Sequence, residues 1–244
     1  MDDLTTYLKE DLHLWALLKA ALVPFELTLI AMPLAVLFGI FLAVLRRSGN
    51  GWVSWPAAIY IEVVRGTPLL VQIFLAYYAL PLLGQHLFGK TTTYFNFNPW
   101  FCAIGCLAAN YAAYESEVFR AGLDAVDKGQ REAALSIGMS ERQAFFTVIL
   151  PQAFRIVVPP VINDAVSMLK DTSLVSAIGV SELLNTAGDY GKINGNLGEM
   201  YVAASALYML MSLACYFLGK WIEKKMKVAG APELVPAGAA GAHH

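Results

Sequence analysis

The chain has 244 residues, of which 57% are hydrophobic and only 15% are charged. Soluble domains typically carry about 25% charged residues, so this composition excludes an ordinary soluble domain and indicates an integral membrane protein. The net charge of −2 argues against nucleic acid as a partner, and three cysteines cannot form a disulfide framework. Cys102 and Cys106 are one helical turn apart without a neighbouring cluster of His or carboxylates, which favours packing residues over metal ligands.

The first part of the chain predicts an external segment followed by a membrane span. Residues 1–19 are polar and acidic, and they lack the basic-then-apolar layout of a cleaved signal peptide. Leu27–Leu45 is uncharged and long enough to cross a bilayer, and the basic, turn-forming stretch 46–51 ends it. We therefore predict a membrane domain over residues 20–228 that begins with this span.

Two further spans are predicted before the middle of the chain. Residues 57–64 form an apolar run with a single charge, and the turn-forming stretch 65–68 interrupts it before Leu69–Leu83 continues without charge. This pattern predicts a membrane-surface or shallow helix, a break and a second span. A polar loop over residues 84–99, which we place outside, then precedes a third span at Trp100–Ala113.

A polar, amphipathic insert over about residues 124–147 separates the third span from the fourth. Asp127 is placed to cap a helix, and Gln130 is placed three residues later to reach back as in a capping box. Gly138 is placed to end that helix in a left-handed C-cap, and Ser140 begins a second start signal. The insert therefore predicts a short helix, a tight turn and a second helix.

The last third of the chain predicts two more spans and a tail. Phe145–Asp171 is apolar but is interrupted by prolines and polar residues, so its periodicity alone does not establish a fourth span. Met200–Gly219 is uncharged and is the clearest span of all. Residues 229–244 are rich in Ala, Gly and Pro, which predicts a disordered tail, and the two final histidines suggest a tag remnant.

The distribution of basic residues orients these five spans. The side of the insert carries Arg46, Arg47, Arg120, Lys128, Arg131, Arg142, Lys220, Lys224, Lys225 and Lys227, whereas the other side carries only Lys9, Lys19, Lys90 and Lys192. The positive-inside rule then predicts a cytoplasmic insert, an external N-terminus and a cytoplasmic C-terminus.

The insert also carries a motif with a recognisable spacing. Glu132-Ala133-Ala134, then Gly138, then Leu150-Pro151 after a fixed gap resemble the coupling loop of ABC-importer permeases, the membrane subunits of ATP-driven uptake systems. Val148 fills a position where that pattern more often has isoleucine. The alternative for this stretch is an ordinary amphipathic connector.

Three further segments, residues 60–72, 110–123 and 170–184, resemble the subgroup of these permeases that takes up polar amino acids. The resemblance implies an all-α integral membrane protein with a type I ABC importer permease-like fold. About five transmembrane helices are expected, with a cytoplasmic coupling helix between the third and the fourth. The residues implied to contact the ATPase are Gln130, Glu132, Ala133, Ala134 and Gly138.

The same resemblance implies a set of partners and a location. A permease of this kind is a multi-pass protein of the bacterial inner membrane, where it pairs with a second permease chain that is identical or related. Two ATPase chains bind below, and an extracytoplasmic amino-acid-binding protein delivers the solute. No cofactor is expected in the present chain, because ATP and Mg belong to the partner ATPase.

Ionisable and hydrogen-bonding groups inside or beside the spans are the candidates for contact with the solute. Charges at membrane depth are costly and usually face a cavity or a partner, and a zwitterionic solute needs groups of both signs. The wider set is Arg65, Asn110, Tyr111, Glu115, Glu117, Arg120, Asp164, Lys170, Asp171, Thr172 and Ser173. The predicted substrate-binding residues are Asn110, Tyr111, Glu115, Asp164, Thr172 and Ser173.

Two features of this set leave alternatives open. Glu117 with Arg120, and Lys170 with Asp171, are spaced to form structural ion pairs instead. Asp164 stands where the subgroup more often has glutamate, which shortens its reach by one methylene group.

The sequence contains no recognisable catalytic site. The phosphate-binding pattern Gly-x-x-x-x-Gly-Lys-Ser/Thr is absent, so this chain is not itself the ATPase, and no Ser/His/Asp or metal-ligand grouping has usable spacing. An intramembrane enzyme is therefore disfavoured. The predicted function is the permease subunit of an ATP-driven importer of a polar amino acid. A stand-alone secondary carrier is the alternative, although five spans without a detectable inverted repeat argue against it.

Overall fold

The computed structural model of the chain describes residues 15–88 and 98–226. Within these two ranges every regular element is helical, which confirms the predicted all-α class. The α-helices are α1 (Leu22–Arg46), α2 (Gly51–Arg65), α3 (Leu69–Phe74), α4 (Leu80–Phe88), α5 (Pro99–Asp124), α6 (Lys128–Ser136), α7 (Glu141–Ala144), α8 (Leu150–Asp171), α9 (Leu183–Asn194) and α10 (Leu197–Met226). Residues 15–20 are also helical. Most of the predicted external segment and the whole predicted tail lie outside the described residues.

Shorter helical turns join several of these α-helices into longer rods. A π-helical turn, Leu75–Ala79, connects α3 to α4, and a second one, Phe145–Ile149, connects α7 to α8. A 3₁₀ turn, Thr172–Ile178, extends α8 beyond its end. The second helix of the predicted insert therefore runs directly into the predicted fourth span without a boundary.

Three helices in the described ranges are long and apolar enough to cross a membrane. They are Trp15–Arg46, Glu141–Ile178 and Leu197–Met226, and they contain the predicted first, fourth and fifth spans. The pair Gly51–Arg65 and Leu69–Gly84 is apolar enough to cross as well, but it is bent by 108° at its break, which is the geometry of a broken span or a re-entrant loop. α5 has 26 residues, which gives a length of about 39 Å and is long enough to cross a membrane. Its polar residues make it less apolar than the three helices above.

The break between α2 and α3 matches the predicted interruption at residues 65–68. α2 ends at Arg65, and Pro68 caps the following helix in an extended conformation. Helical geometry is disfavoured for Thr67, because it stands ahead of a proline. The chain therefore turns sharply at this point instead of continuing as one rod.

α5 lies at the centre of the described fold and packs against α1, α2, α3 and α8. Ala31 and Ala35 of α1 and Ala103 and Leu107 of α5 are fully buried in one cluster. Small side chains allow two helices to approach closely where lipid offers little hydrophobic driving force. The small residues of α5 are used unevenly, because Ala112 is fully buried while Gly105 is exposed.

A buried carboxyl group ties α9 to α10. Glu182 is fully buried and caps α9 by accepting hydrogen bonds from the backbone N–H groups of Leu184 and Asn185, each at 2.8 Å. The Tyr208 hydroxyl of α10 donates to the same carboxyl at 2.5 Å. The Glu182 carboxyl thus accepts three hydrogen bonds, which satisfy this polar group in its buried position.

The ends of α1 and α5 that the positive-inside rule assigns to the cytoplasm are joined by ion pairs. Glu117 lies 2.8 Å from Arg46 of α1 and 2.7 Å from Arg120 of its own helix, and Arg47 pairs with Asp124 at 3.0 Å. The structure therefore contains the alternative pairing of Glu117 with Arg120.

Candidate functional site

A cavity of about 520 Å³ opens where the α2–α3 break meets α5 and α8. Its lining combines charged, amide, hydroxyl and aromatic side chains with the backbone of the break. The lining residues are Arg65, Gly66, Thr67, Pro68, Leu69, Asn110, Tyr111, Tyr114, Asp164, Ser167 and Asp171. Asn110 and Tyr111 lie near the middle of α5, so the cavity lies about half-way along that helix.

The wall formed by the α2–α3 break carries the single cation of the lining. The Arg65 guanidinium lies over the ring of Tyr114, 5.3 Å from its centroid, which is cation–π geometry. No carboxylate lies within salt-bridge distance of Arg65 in the described part of the chain. Arg65 is therefore exposed to the cavity with its positive charge unpaired.

The wall formed by α5 is built from two buried polar residues. Asn110 and Tyr111 are each 5% exposed, and both line the cavity. The Tyr111 hydroxyl donates to Asp171 at 2.8 Å, and the Asn110 amide donates to Gln72 Oε1 at 3.0 Å. These bonds link α5 to the end of α8 and to α3.

The wall formed by α8 carries two carboxylates, one with a hydrogen-bond partner and one without. Asp171 accepts the hydrogen bond from Tyr111, and it does not pair with Lys170 in the structure. Asp164 is half-buried and has neither an ion pair nor a hydrogen bond among the residues that the structure describes. A carboxylate without a partner at the surface of a cavity between membrane helices is available to a cation.

The structure therefore brings together three of the six predicted substrate-binding residues, Asn110, Tyr111 and Asp164. Thr172 is fully buried and donates to the Leu169 carbonyl at 2.7 Å. Ser173 is half-buried outside the lining, and its carbonyl accepts from Ser176.

Glu115 does not line the cavity. It is fully buried, neither carboxyl oxygen has a hydrogen-bond partner among the described residues, and its Cβ lies against the backbone of Gly39 in α1. A carboxyl group in such surroundings is costly to ionise. The role predicted for Glu115 would therefore require a different conformation.

Residues that the candidate set omitted complete the site. Tyr114 and Ser167 line the cavity. Gln72 does not line the cavity, but it donates a hydrogen bond to the Val64 carbonyl at the α2–α3 break. Helical spacing could have identified Tyr114, since it lies one turn after Asn110, and Ser167 lies close to one turn after Asp164.

The predicted insert forms a second polar feature of the fold. Asp127 caps α6 by accepting from the Gly129 N–H at 2.6 Å, and Ser140 with Gln143 forms the capping box of α7. The side chain of Gln130 accepts from Gln152 at 3.3 Å instead of reaching back to the start of α6. That part of the prediction is wrong, because the π-helical turn and α8 bring Gln152 within reach.

Gly138 ends α6 in the predicted left-handed conformation, with φ of +88°. Its N–H donates to Leu135 at 2.9 Å, and the N–H of Met139 donates to Ala134 at 3.2 Å, which is the pattern of a Schellman motif. Glu132 and Ala133 remain exposed on α6, while Ala134 is 4% exposed. The insert thus presents a short capped helix with one free acidic side chain.

Residues 35–228 match the model of a protein family described as the binding-protein-dependent transport system inner membrane component. The chain belongs to this family. The match includes all three walls of the cavity and the whole insert, and it confirms the resemblance to ABC-importer permeases.

Individual relatives agree with this assignment. The arginine transport system permease protein ArtQ of Bacillus subtilis is 31% identical, over 86% of this chain and 92% of its own length. The glutamate/aspartate import permease protein GltK of Escherichia coli is 32% identical, over 86% of this chain and 92% of its own length. A crystal structure of an amino acid ABC transporter with histidines matches with a TM-score of 0.81 and 33% identity, covering 89% of this chain and 97% of that one.

Replacing Gly138 of the permease with valine should weaken its association with an ATPase subunit. A side chain in the left-handed region costs about 1 kcal/mol, and the added atoms point into open space at the surface of the insert. Gly195 is the matched control, because it also has a positive φ of +74° and open space but lies at the end of α9. Co-purification should fall for Gly138→Val alone, and an equal fall for both variants would contradict a docking role.

Proposed function

We propose that this permease is the membrane subunit of an ATP-driven importer and that its cavity receives a polar amino acid. The observation that carries the proposal is the pair of unpartnered charges in the cavity, one on Arg65 and one on Asp164. A zwitterion offers a carboxylate to the first and an ammonium group to the second. Each charge of the solute then pairs with an opposite charge of the cavity, and this pairing offsets the cost of removing both from water.

The charge balance of the lining favours a cationic amino acid. The cavity contains one guanidinium, on Arg65, and two carboxylates, on Asp164 and Asp171. A solute with one carboxylate and two positive groups would complement these charges. The Asn110 carbonyl and the hydroxyl of Ser167 add uncharged partners for orientation. Relatives named for arginine and for glutamate or aspartate both exist, so membership of the family does not by itself fix the solute.

The partners follow from the family and from the shape of the insert. An ATPase subunit that holds ATP and Mg would dock on α6 through Glu132 and its neighbours. A second permease chain would complete the pathway, and an extracytoplasmic binding protein would deliver the solute. The basic ends of α1, α5 and α10 support a cytoplasmic insert, with the N-terminus outside and the C-terminus inside.

The test is uptake into vesicles that contain the reconstituted complex with its binding protein. L-arginine should enter only with ATP on the side of the ATPase, and L-glutamate should compete poorly. Uptake driven by an ion gradient without ATP would contradict the proposal and favour the secondary carrier.

Replacing Asp164 with asparagine should raise the half-saturating concentration of L-arginine about ten- to a hundredfold. The change removes one charge while keeping the size of the side chain, and losing a charge-assisted contact of this kind costs about 1.5–3 kcal/mol. Asp189→Asn is the matched control, since Asp189 is exposed on α9 and pairs only loosely with Lys192 at 3.9 Å. Unchanged half-saturation in Asp164→Asn would show that the solute passes elsewhere.

A further inference from the structure

Gln72 satisfies the backbone that the α2–α3 break leaves open. Its Nε2 lies 2.8 Å from the Val64 carbonyl, 3.1 Å from the Thr67 carbonyl and 2.9 Å from the Thr67 hydroxyl. Carbonyl groups at a helix end lack intrahelical partners, and in a bilayer such groups must be satisfied by protein. Gln72 therefore holds the turn that carries Arg65 to the edge of the cavity.

These contacts fix which way the Gln72 amide points. Backbone carbonyl oxygens only accept, so the atom that faces Val64 and Thr67 must be the NH₂ group. The Oε1 atom then faces the other way, where it lies 3.0 Å from Nδ2 of Asn110. Since Oε1 only accepts, Asn110 must donate to it through its own NH₂ group.

The consequence reaches the cavity through Asn110. With its NH₂ group directed at Gln72, Asn110 keeps its Oδ1 atom free of any donor among the residues described by the structure. The side chain lines the cavity, so its free Oδ1 atom is available there as an acceptor. The amide of Asn110 thus adds an uncharged acceptor to the carboxylates of Asp164 and Asp171.

We propose that Gln72 is a positioning residue for the solute cavity, which it does not itself line. It acts in two ways: it closes the turn at Gly66–Pro68, and it sets the Asn110 amide so that the carbonyl accepts from the ammonium group of the solute. This inference rests on the proposed function, because it requires that the cavity receives an amino acid. According to this inference, the side-chain amide of Gln72 both stabilises the turn at the break and determines which atom of the Asn110 amide is free to contact the solute.

The test measures the affinity of the purified permease–ATPase complex for L-arginine by calorimetry, without the binding protein. Gln72→Met keeps the length of the side chain but removes the donor and the acceptor, and Asn110→Leu removes the oriented carbonyl. Each variant should bind L-arginine about tenfold more weakly. The double variant should be about as weak as either single variant, because both changes break the same chain of contacts.

Three controls separate positioning from simple folding. Asn194→Leu removes an amide that donates to the Tyr190 carbonyl at 2.8 Å outside the cavity, and it should leave the affinity unchanged. Gln72→Glu has the size of the native residue but cannot donate to the two carbonyls, so it should weaken binding as Gln72→Met does. Thermal unfolding of each complex gives the folded fraction to which every affinity is referred.

Each remaining outcome has a definite meaning. Wild-type affinity in folded Gln72→Met and Gln72→Glu, or a hundredfold loss in the double variant, would overturn the positioning role. Loss of folded complex in both Gln72 variants would assign Gln72 to folding alone and would overturn it too. No binding of L-arginine or L-glutamate to the wild-type complex would instead overturn the proposed function.

Discussion

Replacing Glu132 with lysine should abolish solute uptake while the permease still inserts into the membrane. Glu132 is exposed on α6, and it has no ion pair within the described ranges, whereas its neighbour Arg131 pairs with Glu141. A free acidic side chain on a short, doubly capped element is suited to a basic partner on the ATPase. Reversing its charge leaves that partner unpaired and adds repulsion, which costs about 2–5 kcal/mol when the pair is buried in an interface.

The measurement combines uptake, ATP hydrolysis and recovery of the ATPase with the purified permease. In Glu132→Lys, hydrolysis should no longer respond to the solute, and the ATPase should be recovered in smaller amounts. Glu199→Lys makes the same charge change on an exposed residue at the first turn of α10, far along the chain from the insert, and should keep the ATPase bound. Uptake at the wild-type rate in Glu132→Lys would refute the coupling role.

The insert was predictable because its signals are local. The cap at Asp127, the glycine with positive φ at Gly138 and the capping box at Ser140 each depend on residues within one or two turns. The one local signal that failed was Gln130, whose partner Gln152 comes from the following long helix. A side chain with two possible partners cannot be assigned from spacing alone.

The cavity was predictable only in part because its walls are joined by contacts between distant segments. The polarity of Asn110, Tyr111 and Asp164 within membrane helices was sufficient to identify them. The same reasoning selected Glu115, whose Cβ packs against Gly39 of α1 and which does not line the cavity. Residues of one helix differ in direction by about 100° per position, and only the packing of α1 against α5 decides which direction faces the cavity.

Replacing Gly39 with alanine should destabilise the permease by forcing α1 away from α5. A Cβ atom at Gly39 would lie 2.6 Å from the Cβ of Glu115, 3.1 Å from the Ala112 carbonyl and 3.2 Å from the Ser116 N–H nitrogen. Two of these three atoms belong to the backbone of α5. The clash is therefore relieved only if α1 and α5 move apart. Overpacking of this kind costs about 1–3 kcal/mol.

Gly105 of α5 provides the opposite expectation for the same chemical change. Its added Cβ would meet nothing within 4 Å, and alanine favours a helix over glycine by about 0.5–1 kcal/mol. Thermal unfolding of the purified complex in detergent should therefore show a lower midpoint for Gly39→Ala and an equal or higher one for Gly105→Ala. Because α5 carries Asn110 and Tyr111, Gly39→Ala should also weaken L-arginine binding by the complex that remains folded. Equal midpoints for the two variants would mean that α1 and α5 do not pack as closely as the structure shows.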